Sequence, residues 1–197
     1  MSILDLLRNA LHRPGSNVSS DPGLFDEGWY LSRYPDVAAA VAAGEYGSGL
    51  DHYRLHGRGE GRLPIPLPVD EAWYLTAYSE ARESVARGVH SDASHHYLER
   101  GARDGLAPHP AFDEGWYLAA HPAAARSVAE GSVLCGYHHY LEWGYRKGLQ
   151  PHPDFDEGRY LRSNPDVAAA VGRGRWSSGY HQLVAEGLAE GRHWREE

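Results

Sequence analysis

Polar and apolar positions along this chain follow one pattern four times over, in a gapless register from Asp26 to Gly61, Asp70 to Gly105, Asp113 to Gly148 and Asp156 to Gly191. Connectors of eight or seven residues separate the copies. A period of about 43 residues marks a repeat architecture, in which each unit is one supersecondary element.

Each copy opens with Asp-Glu-(Gly/Ala)-(Trp/Arg)-Tyr-Leu, at Asp26, Asp70, Asp113 and Asp156. The aspartate suits an N-cap and the glutamate suits the positive end of the helix that follows, so a first helix of two to three turns is predicted. It ends near Tyr34, Tyr78, His121 and Asn164, because Pro35, Pro122 and Pro165 come next in three copies. Those prolines fit the first turn of a second helix. Gly44, Gly88, Gly131 and Gly174 close that helix in the left-handed C′ position. A third helix begins after Ser48, Asp92, Cys135 and Ser178 and stops at Gly57, Gly101, Gly144 and Gly187. Copy 2 departs from the pattern, with Ser79-Glu80-Ala81-Arg82 in place of Pro-Asp-Val-Ala, and its second helix is expected to be entered differently.

Three such helices are individually too short to be stable and jointly too small for a full core. Burial must be completed by stacking, so the predicted fold is all-α: four copies of a three-helix unit in a short α-solenoid or a compact helical array. The predicted segments are an N-terminal amphipathic helix (1–12), with Ile3, Leu4, Leu7 and Leu11 on one face, a linker (13–23), and repeats at 24–67, 68–110, 111–153 and 154–197. Tyr30, Tyr74, Tyr117 and Tyr160, with Leu31, Leu75, Leu118 and Leu161, recur in every copy as expected of core positions.

Composition narrows the function. A formal charge of −8, with Lys147 the single lysine among 19 basic residues, argues against nucleic acid and anionic membranes. Cys135 stands alone, so neither an intramolecular disulfide nor a thiolate metal cage can form. No secretory signal or membrane-spanning run is evident; the default expectation is a cytoplasmic protein, with cell-surface association open through a non-classical route.

The run Phe25-Asp26-Glu27-Gly28-Trp29-Tyr30-Leu31, then Tyr34-Pro35-Asp36-Val37-Ala38-Ala39-Ala40, His52-Tyr53 and Gly57-Arg58-Gly59-Glu60-Gly61-Arg62, resembles a tandem repeat of many bacterial proteins. It looks like the repeat that accompanies glycosyltransferases of surface-polysaccharide loci and some secreted hemolysin-type calcium-binding proteins. The resemblance covers residues 24 to 192 and implies a bacterial accessory module near envelope glycans, with catalysis residing in other domains.

Three columns could carry chemistry. Trp29, Trp73 and Trp116 give way to Arg159 in copy 4, which suggests a partly exposed site or an inter-repeat face; an indole suits stacking on a sugar ring or a partner's side chain. Thirteen histidines include His52, His96 and His139 in one column and His95, His138 and His181 in the next. One imidazole per copy supplies one ligand, so no metal is expected; a semi-buried polar residue bonded to a neighbouring unit's backbone or carboxylate explains them better. A pH response remains open, since thirteen groups titrating near neutrality could reverse the net charge. The carboxylates at helix starts read as caps and dipole partners rather than a glycosidase pair.

No catalytic residue set and no cofactor site is expected. The leading expectation is a non-enzymatic bacterial binding or scaffold module. Its ligand or partner would be a cell-surface polysaccharide or a protein of an envelope or glycan machine, contacted through Trp29, Trp73, Trp116, Arg159, His52, His96, His139 and His181. The rivals are a structural subunit of a larger assembly, docked through residues 1–12, and a histidine-rich metal- or pH-responsive protein.

Overall fold

A computed structural model describes residues 25–195 except Arg146 and Ser177. The amphipathic helix and linker expected at 1–12 and 13–23 lie outside the described residues. Every regular element among the described residues is helical. Copy 1 holds α1 (Glu27–Arg33), α2 (Pro35–Ala42) and α3 (Gly49–His52), and α3 runs on as a π-helical turn, Tyr53–Gly57. Copy 2 repeats this with α4 (Glu71–Ala77), α5 (Ser79–Ala86), α6 (Ala93–His96) and the π turn Tyr97–Gly101. Copy 3 has α7 (Glu114–Ala120), α8 (Pro122–Ala129), α9 (Gly136–His139) and Tyr140–Gly144. Copy 4 has α10 (Glu157–Ser163), α11 (Pro165–Gly172), α12 (Gly179–Gln182) and Leu183–Gly187.

The expected punctuation is realised. Asp26, Asp70, Asp113 and Asp156 each cap their first helix by accepting from the amide three residues on. Gly44, Gly88, Gly131 and Gly174 sit at φ between +71° and +78°, the left-handed stop beyond the second helix. Copy 2 enters its second helix as the others do: Tyr78 holds φ −119°, ψ 101°, close to the −123°, 82° of Tyr34. His121 and Asn164 hold the same backbone in copies 3 and 4, and Ser79 takes the place of proline in the first turn.

One backbone feature was not expected. The third helix changes hydrogen-bond register halfway, so that the amides of Arg58, Ala102, Tyr145 and Leu188 reach back five residues to Tyr53, Tyr97, Tyr140 and Leu183. The glycine closing each π turn lies against the first helix: a Cβ on Gly57, Gly101 or Gly144 would overlap the hydroxyl of Tyr30, Tyr74 or Tyr117.

Burial is completed less by helix on helix than by the connectors. Helix backbones approach one another closely inside single copies, not between copies. Leu63, Leu67, Val69, Ala111, Phe112 and Phe155 of the connectors are buried, and all six join a central cluster with Tyr74, Tyr97, Tyr117, Tyr140 and Tyr160. Each connector also returns to the start of its own copy: Asp26, Asp70 and Asp113 donate their amides to Pro64, Pro108 and Pro151 at 3.0–3.2 Å. The arrangement is therefore the compact array rather than a nearest-neighbour solenoid. Tyr53 of copy 1 reaches Glu142 of copy 3, and Arg195 of copy 4 donates to Pro110 O of copy 2 at 3.2 Å.

The outer copies differ from the inner ones at one paired position. Arg62 forks onto Asp36 at 3.0 and 2.8 Å, and Arg192 onto Asp166 at 3.1 and 2.7 Å. Leu106 and Leu149 stand at the arginine's place in copies 2 and 3, and both pack against the central cluster. The same position thus carries a polar clamp in copies 1 and 4 and an apolar contact with the central cluster in copies 2 and 3. No helix among the described residues is long and apolar enough to cross a membrane.

Candidate functional site

The tryptophan column occupies the third residue of the first helix. Asp26, Asp70 and Asp113 accept from the amides of Trp29, Trp73 and Trp116 at 2.9, 3.1 and 2.8 Å, which fixes the backbone from which each indole projects. All three indoles are half-buried and pack with one part against the central cluster. Each meets the ring at its own helix's C-cap edge-on: Tyr34 at 6.4 Å and 86°, Tyr78 at 5.8 Å and 88°, His121 at 5.9 Å and 89°. In copy 4 the guanidinium of Arg159 instead donates to Asp154 O at 2.5 Å. The column thus packs and remains partly open to solvent in three copies. Gly28 and Gly115, just before Trp29 and Trp116, place no side chain beside the ring, and the space around Gly28 and Gly115 is open apart from the capping aspartate.

The histidine column lies inside. His52, His96, His139 and His181 are all buried, so a surface ligand does not reach them and they leave the set of contact residues. Their partners are also not those expected. Nδ1 of His52, His96 and His139 meets the hydroxyl of Tyr30, Tyr74 and Tyr117 at 3.1, 3.0 and 2.9 Å, within the same copy rather than across copies. In copy 4 the equivalent Tyr160 donates to Gln182 Oε1 at 2.6 Å. Glutamine and imidazole are interchangeable there because the position supplies an acceptor to a buried phenol. Desolvation is the first cause that pushes these phenols up and the imidazoles of His52, His96 and His139 down, so the pairs are neutral.

In the adjacent column, His95 is half-exposed with Nε2 3.2 Å from Glu99, His138 is buried, and His181 lies edge-on to Trp176 at 4.8 Å. Burial holds His109 and His138 down to about 3, which removes them from any charge reversal near neutrality. Among the described residues no three His, Cys, Asp or Glu side chains gather as a metal-binding group.

The glutamates of the opening motif serve a different helix from the one expected. Glu27 accepts from the amides of Gly49 and Leu50 at 2.6 and 3.1 Å, Glu114 from Gly136 and Tyr137 at 2.5 and 3.0 Å, and Glu157 from Gly179 and Tyr180 at 2.5 and 3.0 Å. Each carboxylate therefore ties the first helix to the first amides of the third. Copy 2 has Ala93 where the others have glycine, and no such bond joins Glu71 to it among the described residues. A Cβ on Gly49 would stand 3.1 Å from the Glu27 carboxylate, which accounts for the exchange.

The most heavily engaged buried carboxylate, Glu142, was not singled out by sequence. Its Oε1 accepts from Tyr53 at 2.6 Å and from Arg58 Nε at 2.7 Å. The Arg58 guanidinium also lies 5.3 Å over the Trp143 ring. Its column reads Leu55, Glu99, Glu142 and Ala185, so the register gives no signal for it.

Compared with known proteins, the chain matches no family model, no curated relative and no solved structure.

Proposed function

We propose that this chain is a non-enzymatic bacterial binding module whose tryptophan column engages a cell-surface polysaccharide. One observation carries the reading: Trp29, Trp73 and Trp116 hold the same helical position, fixed by the same aspartate cap, each with part of the indole left open. Indole faces repeated in register suit a polymer of sugar rings, which offers apolar C–H faces at regular intervals. The resemblance to repeats that accompany surface-polysaccharide glycosyltransferases supports the same ligand class. The tyrosine-bonded histidines His52, His96 and His139 supply structure, which leaves the tryptophan column as the repeated feature open to a ligand.

The test is a surface-polysaccharide array probed with the full chain and with Trp29→Ala, Trp73→Ala and Trp116→Ala, each variant checked for an unchanged far-UV spectrum. Binding is expected to weaken stepwise as indoles are removed, by about 10-fold each. No polysaccharide signal from the wild-type chain, or binding indifferent to all three substitutions, overturns the proposal.

A further inference from the structure

A cavity of about 10 Å³ lies where copy 1 meets copy 3. Pro64, Ile65 and Leu67 of the first connector line it together with His138, Leu141 and Glu142 of copy 3. The walls are apolar except for the last pair. Burying apolar surface over two such groups is favourable when their hydrogen-bonding capacity is met, and costly otherwise.

That capacity is unmet on the histidine side and unfilled at one oxygen of the glutamate. His138 is 2% exposed, and its Nδ1 accepts from the Leu134 amide at 3.0 Å. A neutral imidazole has one donor and one acceptor nitrogen, so the ring proton sits on Nε2. Nε2 lies 3.5 Å from Glu142 Oε2 but has no hydrogen-bond partner. The distance is long for an N–H···O bond and the alignment of one is lacking. Glu142 engages Tyr53 and Arg58 through Oε1, so Oε2 is left with capacity to accept.

We infer that this cavity is a binding site for a single water molecule, which accepts from His138 Nε2–H and donates to Glu142 Oε2. The volume sets the size of the ligand, since one water needs at least about 10–15 Å³. The two polar groups set its chemistry, because the ligand must accept on one side and donate on the other. Ammonium and sodium cannot accept from an N–H, and chloride cannot donate to a carboxylate. Water does both, and among one-heavy-atom ligands it satisfies the pair without a change of charge. The bound water then belongs to the contact that fastens copy 1 to copy 3, completing the ring of donors around Glu142 that Tyr53 and Arg58 begin.

A crystal structure of the full chain at 1.8 Å or better tests this directly. The expected result is one spherical peak within about 2.7–3.2 Å of both His138 Nε2 and Glu142 Oε2. An empty cavity, a peak refining as chloride or sodium, or a direct His138–Glu142 hydrogen bond overturns the proposal. In solution, the His138 Nε2–H resonance of nitrogen-15-labelled protein should show a cross-peak to a long-lived water. A visible resonance without that cross-peak counts against it. Loss of the density in His138→Leu is expected; density unchanged in that variant would show that the histidine does not hold the water. Both wild-type measurements stand if His138→Leu fails to fold.

Discussion

Tyr53 and Glu142, 89 residues apart in the chain, share a 2.6 Å hydrogen bond that joins the third helix of copy 1 to that of copy 3. Arg58 binds the same carboxylate oxygen at 2.7 Å, while its own side chain is 49% exposed. The carboxylate is 4% exposed, so these donors, rather than bulk water, meet its hydrogen-bonding capacity. Glu142→Ala leaves the buried Tyr53 hydroxyl unmet and should cost about 2–4 kcal/mol, whereas Tyr53→Phe removes one donor and should cost about 1–2 kcal/mol. Urea denaturation measures both. Hydrogen exchange of Glu142→Ala should show copy 1 losing protection before copies 2 to 4, and uniform loss across the chain would contradict the role assigned to this contact.

Gly57 yields a second expectation. A Cβ there would overlap the Tyr30 hydroxyl and stand 3.4 Å from Nδ1 of His52, so Gly57→Ala drives the phenol away from its acceptor. The cost should be about 1–3 kcal/mol. Tyr30→Phe deletes the overlapped oxygen, so the double variant should be more stable than the sum of the two single changes predicts. A strictly additive cycle would show that the glycine serves some other contact.

Acid should weaken the fold in a defined window. His109 and His138 are held down to about 3 by burial, against an ordinary value near 6.5 in the unfolded chain. Between those values the unfolded state binds more protons than the native one, so stability rises with pH across the window. The contribution is complete above about 6.5 and is lost as pH falls toward 3, with a limiting slope of about 1.4 kcal/mol per pH unit for each histidine. Melting temperatures recorded from pH 7.5 to 4 should fall progressively, and His109→Gln should flatten the curve. A melting temperature independent of pH over that range would refute the assignment.

Cys135 should be chemically silent in the native protein. Its thiol is 1% exposed, accepts from the His138 amide, and is pushed up to about 12 by burial. At pH 8 the thiolate fraction is on the order of one in ten thousand, and the sulfur is enclosed. Iodoacetamide should therefore modify it at the rate of structural opening, on the order of a thousandfold or more below the rate in denaturant. Rapid stoichiometric labelling of folded protein would be inconsistent with this environment.

The helix boundaries were legible because their punctuation is local. Asp26 caps through its own side chain, Pro35 fixes its own φ, and Gly44 stops a helix by its own left-handed backbone, so each signal lies within four residues of its effect. The tyrosine column was legible for the same reason, since Tyr30 and its equivalents follow the helical period. Relations between elements were not. Glu27 faces its own helix in the sequence but is drawn 22 residues ahead to Gly49, and only the pairing of glycine columns with glutamate columns hints at it. The connectors read as spacers, yet Leu67 and Val69 are 1% exposed because they fill what short helices leave open. The histidines drew notice by number, but their partner was the tyrosine already assigned to the core. The tryptophans were read as a partly exposed site or an inter-repeat face, and each indole is half-buried against the central cluster; Glu142 has no column to announce it.

The bond between Tyr53 and Glu142 also restrains how such a chain can change in length. In a strictly nearest-neighbour stack, a unit could be duplicated or removed anywhere and each survivor would still meet an equivalent surface. Here a unit added between the second and third would push the tyrosine and its carboxylate out of reach, stranding a buried carboxyl group without its partners. The first three units thus behave as one interlocked object, whose number is not open to change by insertion between them.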